Sequence, residues 1–186
     1  MKLIGNYKSY ITKELMEYLD SLETGVVKIW DPARWENHPA RDFYKKMENT
    51  NYSKRDDRYQ QFFKFSNEMQ NINIPEFPGK RKQEFWWLVK IKPGQFQPVH
   101  FDPHLTGAVN PLRCTMFLQD WEPGHIYVYK DKMISDYKAG DIFMWDDEWQ
   151  MHGVANIGYN TRYTIQIAMY DSIDESIAKG GFVNKK

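Results

Sequence analysis

Arg162-Tyr163-Thr164-Ile165-Gln166-Ile167-Ala168-Met169-Tyr170 is the stretch on which the reading of the fold turns. Side chains of a β-strand point alternately to opposite faces, so Arg162, Thr164, Gln166 and Ala168 share one face and Tyr163, Ile165, Ile167 and Met169 the other. The second face is apolar and suits packing against N-terminal helix. If it does so, the small polar face points into a barrel, where an arginine without an anionic partner would be a buried, unpaired cation. The alternative is a strand face open to solvent, with Arg162 hydrated or paired with Asp141.

Strand signals recur at short intervals upstream of this segment. They cover Phe85–Lys92, Phe96–Phe101, Leu112–Leu118, His125–Lys130, a weaker Met133–Tyr137, Asp141–Trp145 and His152–Ala155, which with Tyr163–Tyr170 makes eight. Pro93-Gly94, Pro123-Gly124 and Ala139-Gly140-Asp141 supply turns between them. Eight short strands at this spacing fit a double-sheet jelly roll of the cupin kind, a double-stranded β-helix. Towards the N-terminus, Leu15, Met16, Leu19 and Leu22 recur at helical spacing behind a capping Thr12, which predicts an amphipathic helix over Thr12–Leu22. Gly25–Trp30 reads as a short strand broken by Asp31-Pro32. Residues 39–70 are polar and charged with scattered Tyr and Phe, and read as helices packed by one stripe, for which Phe62, Phe63 and Phe65 are available. Asn73–Gly79 is a turn-rich connection, and the tail after Asp171 reads as a short helix. The expectation is a mainly β protein of one domain over residues 1–186, with a helical N-terminal part, 1–80, packed on a jelly-roll core, 85–170.

Composition narrows the function classes. The chain has 186 residues, 25 basic and 25 acidic, so no global field favours nucleic acid or a membrane surface, and an anionic ligand must be bound locally. Aromatic residues make up 16%, including seven Trp and twelve Tyr, which suits sheet faces and a pocket lined by flat side chains. Mean hydropathy is −0.73, so the apolar residues must be concentrated in a core. A single cysteine, Cys114, excludes an intrachain disulfide and reads as a small core residue in a reducing compartment. The first residues lack a signal-peptide pattern and no run approaches the ~18 apolar residues of a membrane span, so a cytoplasmic location is expected.

The chemistry is concentrated in Pro98-Val99-His100-Phe101-Asp102-Pro103. His100 and Asp102 lie two positions apart on one strand face and can grip one metal ion. Asp102 precedes a proline and is biased to stiff, extended backbone. His152, in Gln150-Met151-His152-Gly153-Val154, lies fifty residues further on, far enough for the chain to return beside the first strand as a third ligand. Two imidazoles and one carboxylate on one side of a metal leave the opposite positions open, as in non-haem Fe(II) oxygenases. Arg162, ten residues after His152, could hold a carboxylate bidentately, and the Thr164 hydroxyl could add a donor. Of the other histidines, His104 reads as a loop residue near the mouth, His125 as a neighbour of the site, and His38 as surface.

Together these residues resemble the Fe(II)- and 2-oxoglutarate-dependent oxygenase superfamily, whose motif is His-X-Asp, a distal His, and an Arg about ten residues later followed at plus two by Ser or Thr. Here the motif reads His100-Phe101-Asp102, His152 and Arg162-Tyr163-Thr164. Gly140–Trp145 leading into His152–Asn156 is similar to the family's last strands, and Leu118–Gly124 also resembles it, with His125 where a second glycine is common. The resemblance spans residues 85–170. It implies iron held by His100, Asp102 and His152, and 2-oxoglutarate chelating the metal through its keto-acid end with its far carboxylate on Arg162 and Thr164. It also implies one further polar side chain on that carboxylate. Tyr127 is the choice, ahead of Tyr129, Arg113 and Thr115. The reaction implied is hydroxylation by dioxygen coupled to decarboxylation of 2-oxoglutarate to succinate, with Trp121, Trp145, Trp149 and Phe101 available to wall a dry mouth.

Two rival readings remain: a cupin metalloenzyme that uses no keto acid, which leaves Arg162 without its anion, and a non-catalytic jelly-roll binding module. The substrate expected is a peptidyl residue of a protein or a small molecule. Nucleic acid is disfavoured by the neutral charge, although Lys80-Arg81-Lys82 forms a local basic run. The oligomeric state is not legible.

Overall fold

The structure is a computed structural model that describes residues 1–22, 73–100, 108–146 and 151–173, together with the backbone of two strands at 25–27 and 61–65. In chain order the elements are β1 (Lys2–Asn6), a 3-10 turn (Lys8–Tyr10), α1 (Lys13–Ser21), β2 (Gly25–Val27), β3 (Gln61–Phe65), β4 (Gln83–Ile91), β5 (Phe96–His100), β6 (Ala108–Val109), β7 (Leu112–Phe117), β8 (His125–Tyr129), β9 (Lys132–Met133), β10 (Asp141–Met144), β11 (His152–Asn156), β12 (Arg162–Tyr170) and β13 (Ser172–Ile173).

Successive strands of the core alternate between two sheets. The larger runs β1-β10-β7-β12-β4-β3-β2 and the smaller β5-β11-β8-β9, while β6 and β13 pair separately. The chain therefore winds from β4 to β5, β7 to β8, and β10 to β11 to β12 by crossing between sheets, and the fold is a double-stranded β-helix, a jelly roll of the cupin kind. Seven of the eight strands read from the sequence have their counterparts, whereas of the weak one, Met133–Tyr137, only Met133 is in a strand, β9.

β12 lies between β7 and β4, with its two faces in two different cores. Ile165, Ile167 and Met169 are buried on the outer side with Leu19, Ile74 and Phe77, and Leu15, Met16 and Tyr163 pack against them. α1 covers this face. Thr12 caps the helix, its hydroxyl accepting from the Leu15 N–H at 3.1 Å, and Leu19 is wholly buried, a burial that stabilises by about 1.5–3 kcal/mol. At the other end of α1, Lys90 Nζ donates to the carbonyls of Asp20 (2.6 Å) and Leu22 (3.3 Å), and the Tyr163 hydroxyl donates to the Asp20 carboxylate. Burial, then the Asp20 contact, pushes the Tyr163 phenol up to about 12. The second core lies between the sheets and contains Val89, Ile91, Phe117, Tyr127, Tyr129, Tyr137, Trp145 and Val154.

The N-terminal part holds more strand than expected, since besides β2, which falls within the strand read at Gly25–Trp30, it contributes two others. Lys2–Asn6 forms β1, paired with β10 at the edge of the larger sheet, and Gln61–Phe65 forms β3 beside β4. The physical reason at β3 is composition: Gln61-Phe62-Phe63-Lys64-Phe65 is an aromatic run suited to a pleated surface, and the edge of β4 offers it hydrogen-bond partners. The other residues of 28–60 and those after 173 lie outside the described residues, and with them the helices expected there. Gly140, at φ +91°, allows the turn before β10 to approach the start of the chain, since a Cβ there would stand 2.3 Å from the Lys8 nitrogen. Cys114 is fully buried, and burial pushes its thiol up to about 12, consistent with an inert core residue. Among the described residues no helix is long and apolar enough to cross a membrane.

Candidate metal centre and anion pocket

His100 ends β5 and His152 begins β11, directly opposite each other in the antiparallel pair. Their rings lie 4.2 Å apart between centroids, and both side chains are buried. Gly153 permits this approach, because a Cβ there would stand 3.0 Å from the Val99 Cα. The register shifts between His152 and Val154, so that Val154 faces Gln97. This irregularity coincides with Pro98, which has no N–H for the ladder and is tolerated at edge strands and bulges. The consequence is that Gln97 and His100, three positions apart, are both buried while Val99 is exposed. The Gln97 amide donates to His100 Nε2 at 2.5 Å, so the lone pair of that nitrogen is taken up by Gln97 here and reaches a metal only when the amide turns aside.

Asp102, the third ligand expected, lies outside the described residues, as do Phe101, His104, Trp149 and His38. Among the described residues no three His, Cys, Asp or Glu side chains converge as a metal site, so what they present is the histidine pair.

The polar face of β12 points inward. Arg162 has no exposed surface, and among the described residues none of its three guanidinium nitrogens has a hydrogen-bond partner. It does not pair with Asp141, whose carboxylate accepts from the Asn6 amide and the Lys138 N–H. Its guanidinium carbon lies 5.2 Å from the centre of the Tyr127 ring and 5.6 Å from that of Phe117, with Tyr137 stacked on Phe117 at 3.7 Å. Thr164, also fully buried, has a hydroxyl without a partner. An orphaned guanidinium beside an orphaned hydroxyl fits a missing carboxylate.

Thr164 and Tyr127 line a small cleft whose walls are completed by Trp87, Val89, Gln97, His152, Val154 and Gln166. His152 and Thr164, the latter two residues from Arg162 on β12, thus line one cleft. Beneath it, Thr115 Oγ1 is hydrogen-bonded to Trp145 Nε1 (3.0 Å), Gln166 (3.0 Å) and the Tyr127 hydroxyl (3.1 Å). Trp145 also sets its ring edge-on to His152 at 4.5 Å. The other two residues weighed with Tyr127 lie elsewhere. Arg113 is held between Trp87 and Trp145, opposite Ala168, and the Tyr129 hydroxyl donates to Asp146. His125 is buried two residues before Tyr127 on β8, its Nε2 donating to the Asn160 carbonyl.

Sequence reasoning missed Gln97, Gln166 and the junction at Thr115 as parts of the cleft. The signal for Gln97 was Pro98 inside a strand. Gln166 lies on the polar face that alternation assigns, but nothing in the sequence marks its side chain as a partner of Thr115.

A buried histidine pair and a buried cation in one double-stranded β-helix define the class of protein this chain presents. Solved structures that it resembles share the fold. They include a predicted oxalate decarboxylase from Thermotoga maritima (16% identity, covering 46% of this chain and 64% of that one, TM-score 0.34). A Cupin 2 conserved barrel domain protein from Salinispora arenicola (12%, 59% and 75%, TM-score 0.37) and a cupin domain from Schizosaccharomyces pombe (13%, 60% and 65%, TM-score 0.39) are similar to a comparable degree. The chain spans under two thirds of the first and third of these. No family model and no curated protein sequence matches the chain.

Proposed function

We propose that the protein is an Fe(II)- and 2-oxoglutarate-dependent oxygenase that hydroxylates a peptidyl residue or a small molecule in the cytoplasm. The observation that supports this reading most is Arg162, a fully buried guanidinium with no hydrogen-bond partner among the described residues, two positions along β12 from the Thr164 hydroxyl, which has none among them either. A buried cation needs an anion, and the fork of a guanidinium matches a carboxylate. A dicarboxylic keto acid is long enough to occupy both ends of one cleft, with its far carboxylate on Arg162 and Thr164 beside Tyr127. Iron would be held by His100, His152 and Asp102, and when bound would supply, with the keto acid and dioxygen, the oxidising chemistry.

The chain's own residues bind, orient and exclude water. The Gln97 amide, which donates to His100 Nε2, would turn aside to release that lone pair, and Trp145 walls His152. Phe117 and Tyr137 close the space around Arg162 with aromatic surface, which keeps its pairing strong by keeping it dry. The test is anaerobic titration of the Fe(II)-loaded protein with 2-oxoglutarate. The expected result is a weak visible charge-transfer band, lost in His100→Ala and weakened in Arg162→Ala, with succinate released in air. Iron binding without any response to 2-oxoglutarate would replace this reading with a cupin metalloenzyme that uses no keto acid, and absence of both would leave a binding module.

A further inference from the structure

Gln97 and His100 stand three positions apart on β5, a spacing that in a regular strand sends two side chains to opposite faces. Here both are buried, at 6% and 2% exposure, where the register of β5 with β11 shifts between the partners of His152 and Val154. The Gln97 amide nitrogen comes to 2.5 Å from His100 Nε2. An amide nitrogen only donates, so the imidazole nitrogen accepts with its lone pair. A metal bound to an imidazole nitrogen sits about 2.0–2.1 Å away along that same lone pair. Amide and metal therefore cannot share Nε2. The surroundings decide where a displaced amide can go. Gln97 faces Val154 across the strand pair and lines the cleft with Trp87, Thr164 and Gln166. Buried as it is, it has no bulk solvent to turn to, and the cleft is the space open to it.

We propose that Gln97 is a positioning residue acting through His100, which stoppers Nε2 in the metal-free protein and lowers metal affinity until its amide swings into the cleft. This rests on the reading of His100 as a metal ligand. Only molecules with the amide turned aside are competent, so the apparent Kd is the intrinsic one divided by their fraction. One net hydrogen bond holds the amide in place, which makes that fraction about a tenth to a third. Metal loading and the cleft are thereby joined, because the group that the metal displaces enters the space in which the keto acid is proposed to lie.

The test titrates the whole metal-free chain with Co(II) alone, reading affinity by calorimetry and the ligand set by the visible d–d spectrum. Gln97→Leu removes the donor at similar volume, and Gln97→Asn keeps an amide but shortens its reach by a methylene. Both should tighten Co(II) binding about three- to tenfold, the worth of one net hydrogen bond. The spectrum should stay as in the wild type, since the same imidazole nitrogen is bound. In the metal-free protein the His100 Nε2 resonance should move towards that of an open lone pair in Gln97→Leu, a change that loss of packing at position 97 does not produce. Should Gln97→Leu fail to fold, Gln97→Asn carries both measurements. Weaker binding in the variants overturns the inference and makes Gln97 a support of His100, and an altered spectrum overturns it by making Gln97 a ligand. If the wild type binds Co(II), His100→Ala does not, and position 97 has no effect, the histidine site stands and the inference alone falls. If neither the wild type nor Gln97→Leu binds Co(II), both fall, whereas binding by Gln97→Leu alone supports both.

Discussion

Replacing Arg162 by methionine should make the ligand-free protein more stable, and the size of the gain follows from what the guanidinium touches. It is wholly buried, with no hydrogen bond on any nitrogen among the described residues. Removing a charge from water costs several kcal/mol even after the protein relaxes. The faces of Tyr127 and Phe117, at 5.2 and 5.6 Å, return about 2 kcal/mol each at most. Methionine fills similar space without the charge, so a net gain of about 1–3 kcal/mol is expected, by analogy with buried ions replaced by apolar side chains. For a chain of this length that raises the melting temperature by roughly 2–4 °C per kcal/mol. A dicarboxylate should reverse the order. At a hundredfold excess over Kd it stabilises the wild type by about 2.7 kcal/mol and leaves Arg162→Met unchanged. The assay is scanning calorimetry of both proteins in a buffer free of carboxylates and phosphate, with and without glutarate. If Arg162→Met melts below the wild type and glutarate raises both equally, the arginine is a structural residue and the carboxylate site is refuted.

Three further outcomes are expected. Thr115→Val leaves Trp145 Nε1 without its acceptor and Gln166 without its donor, and should lower the unfolding free energy by about 1–3 kcal/mol in urea titration. Lys90→Met removes the donor to the Asp20 and Leu22 carbonyls at the end of α1, and should speed amide exchange in that helix while costing about 1–2 kcal/mol. Asp146 accepts from the Tyr129 hydroxyl at 2.7 Å and lies near Lys130 and the N-terminal ammonium, which hold its carboxyl far below the usual carboxylate range. A depressed carboxyl stabilises fully above its unfolded pKa of about 3.9 and loses that contribution as pH falls further. Asp146→Asn should therefore flatten the fall in urea midpoint below about pH 4. Its side chain is 51% exposed, so the difference should shrink in high salt.

Alternation along Arg162–Tyr170 was sufficient to assign both faces of β12, and the spacing of turns was sufficient for the double-stranded β-helix, because both depend on local pattern. The spacing left room for His152 to return beside His100, and the two meet in the antiparallel pair of β5 and β11, while Asp102 lies outside the described residues. What local pattern does not carry is register between strands remote in the chain. β1 pairs with β10 across more than 130 residues, and nothing in Lys2-Leu3-Ile4-Gly5-Asn6 announces its partner. The burial of both Gln97 and His100 breaks the period of two, since Pro98 accompanies a shift that alternation cannot express. Thr115 was legible as a residue on a suitable face, but its role depends on side chains from β8, β12 and the end of β10, which meet only in the folded barrel.

β12 joins stability to function through one register. Its nine pairs with β4 and six with β7 set the layers of the cleft, with Arg162 opposite Ile91, Thr164 between Val89 and Phe117, and Gln166 between Trp87 and Thr115. A slip of one residue would turn Arg162 outward and Tyr163 inward, exchanging every partner in both cores. That slip is opposed on the outer face by Ile165, Ile167 and Met169 under α1, and by Tyr163, whose hydroxyl donates to Asp20. The energy that keeps the guanidinium inside, unpaired and ready for an anion, is therefore supplied from the opposite side of the strand that bears it. Loosening α1 should for this reason weaken carboxylate binding without touching a residue of the cleft.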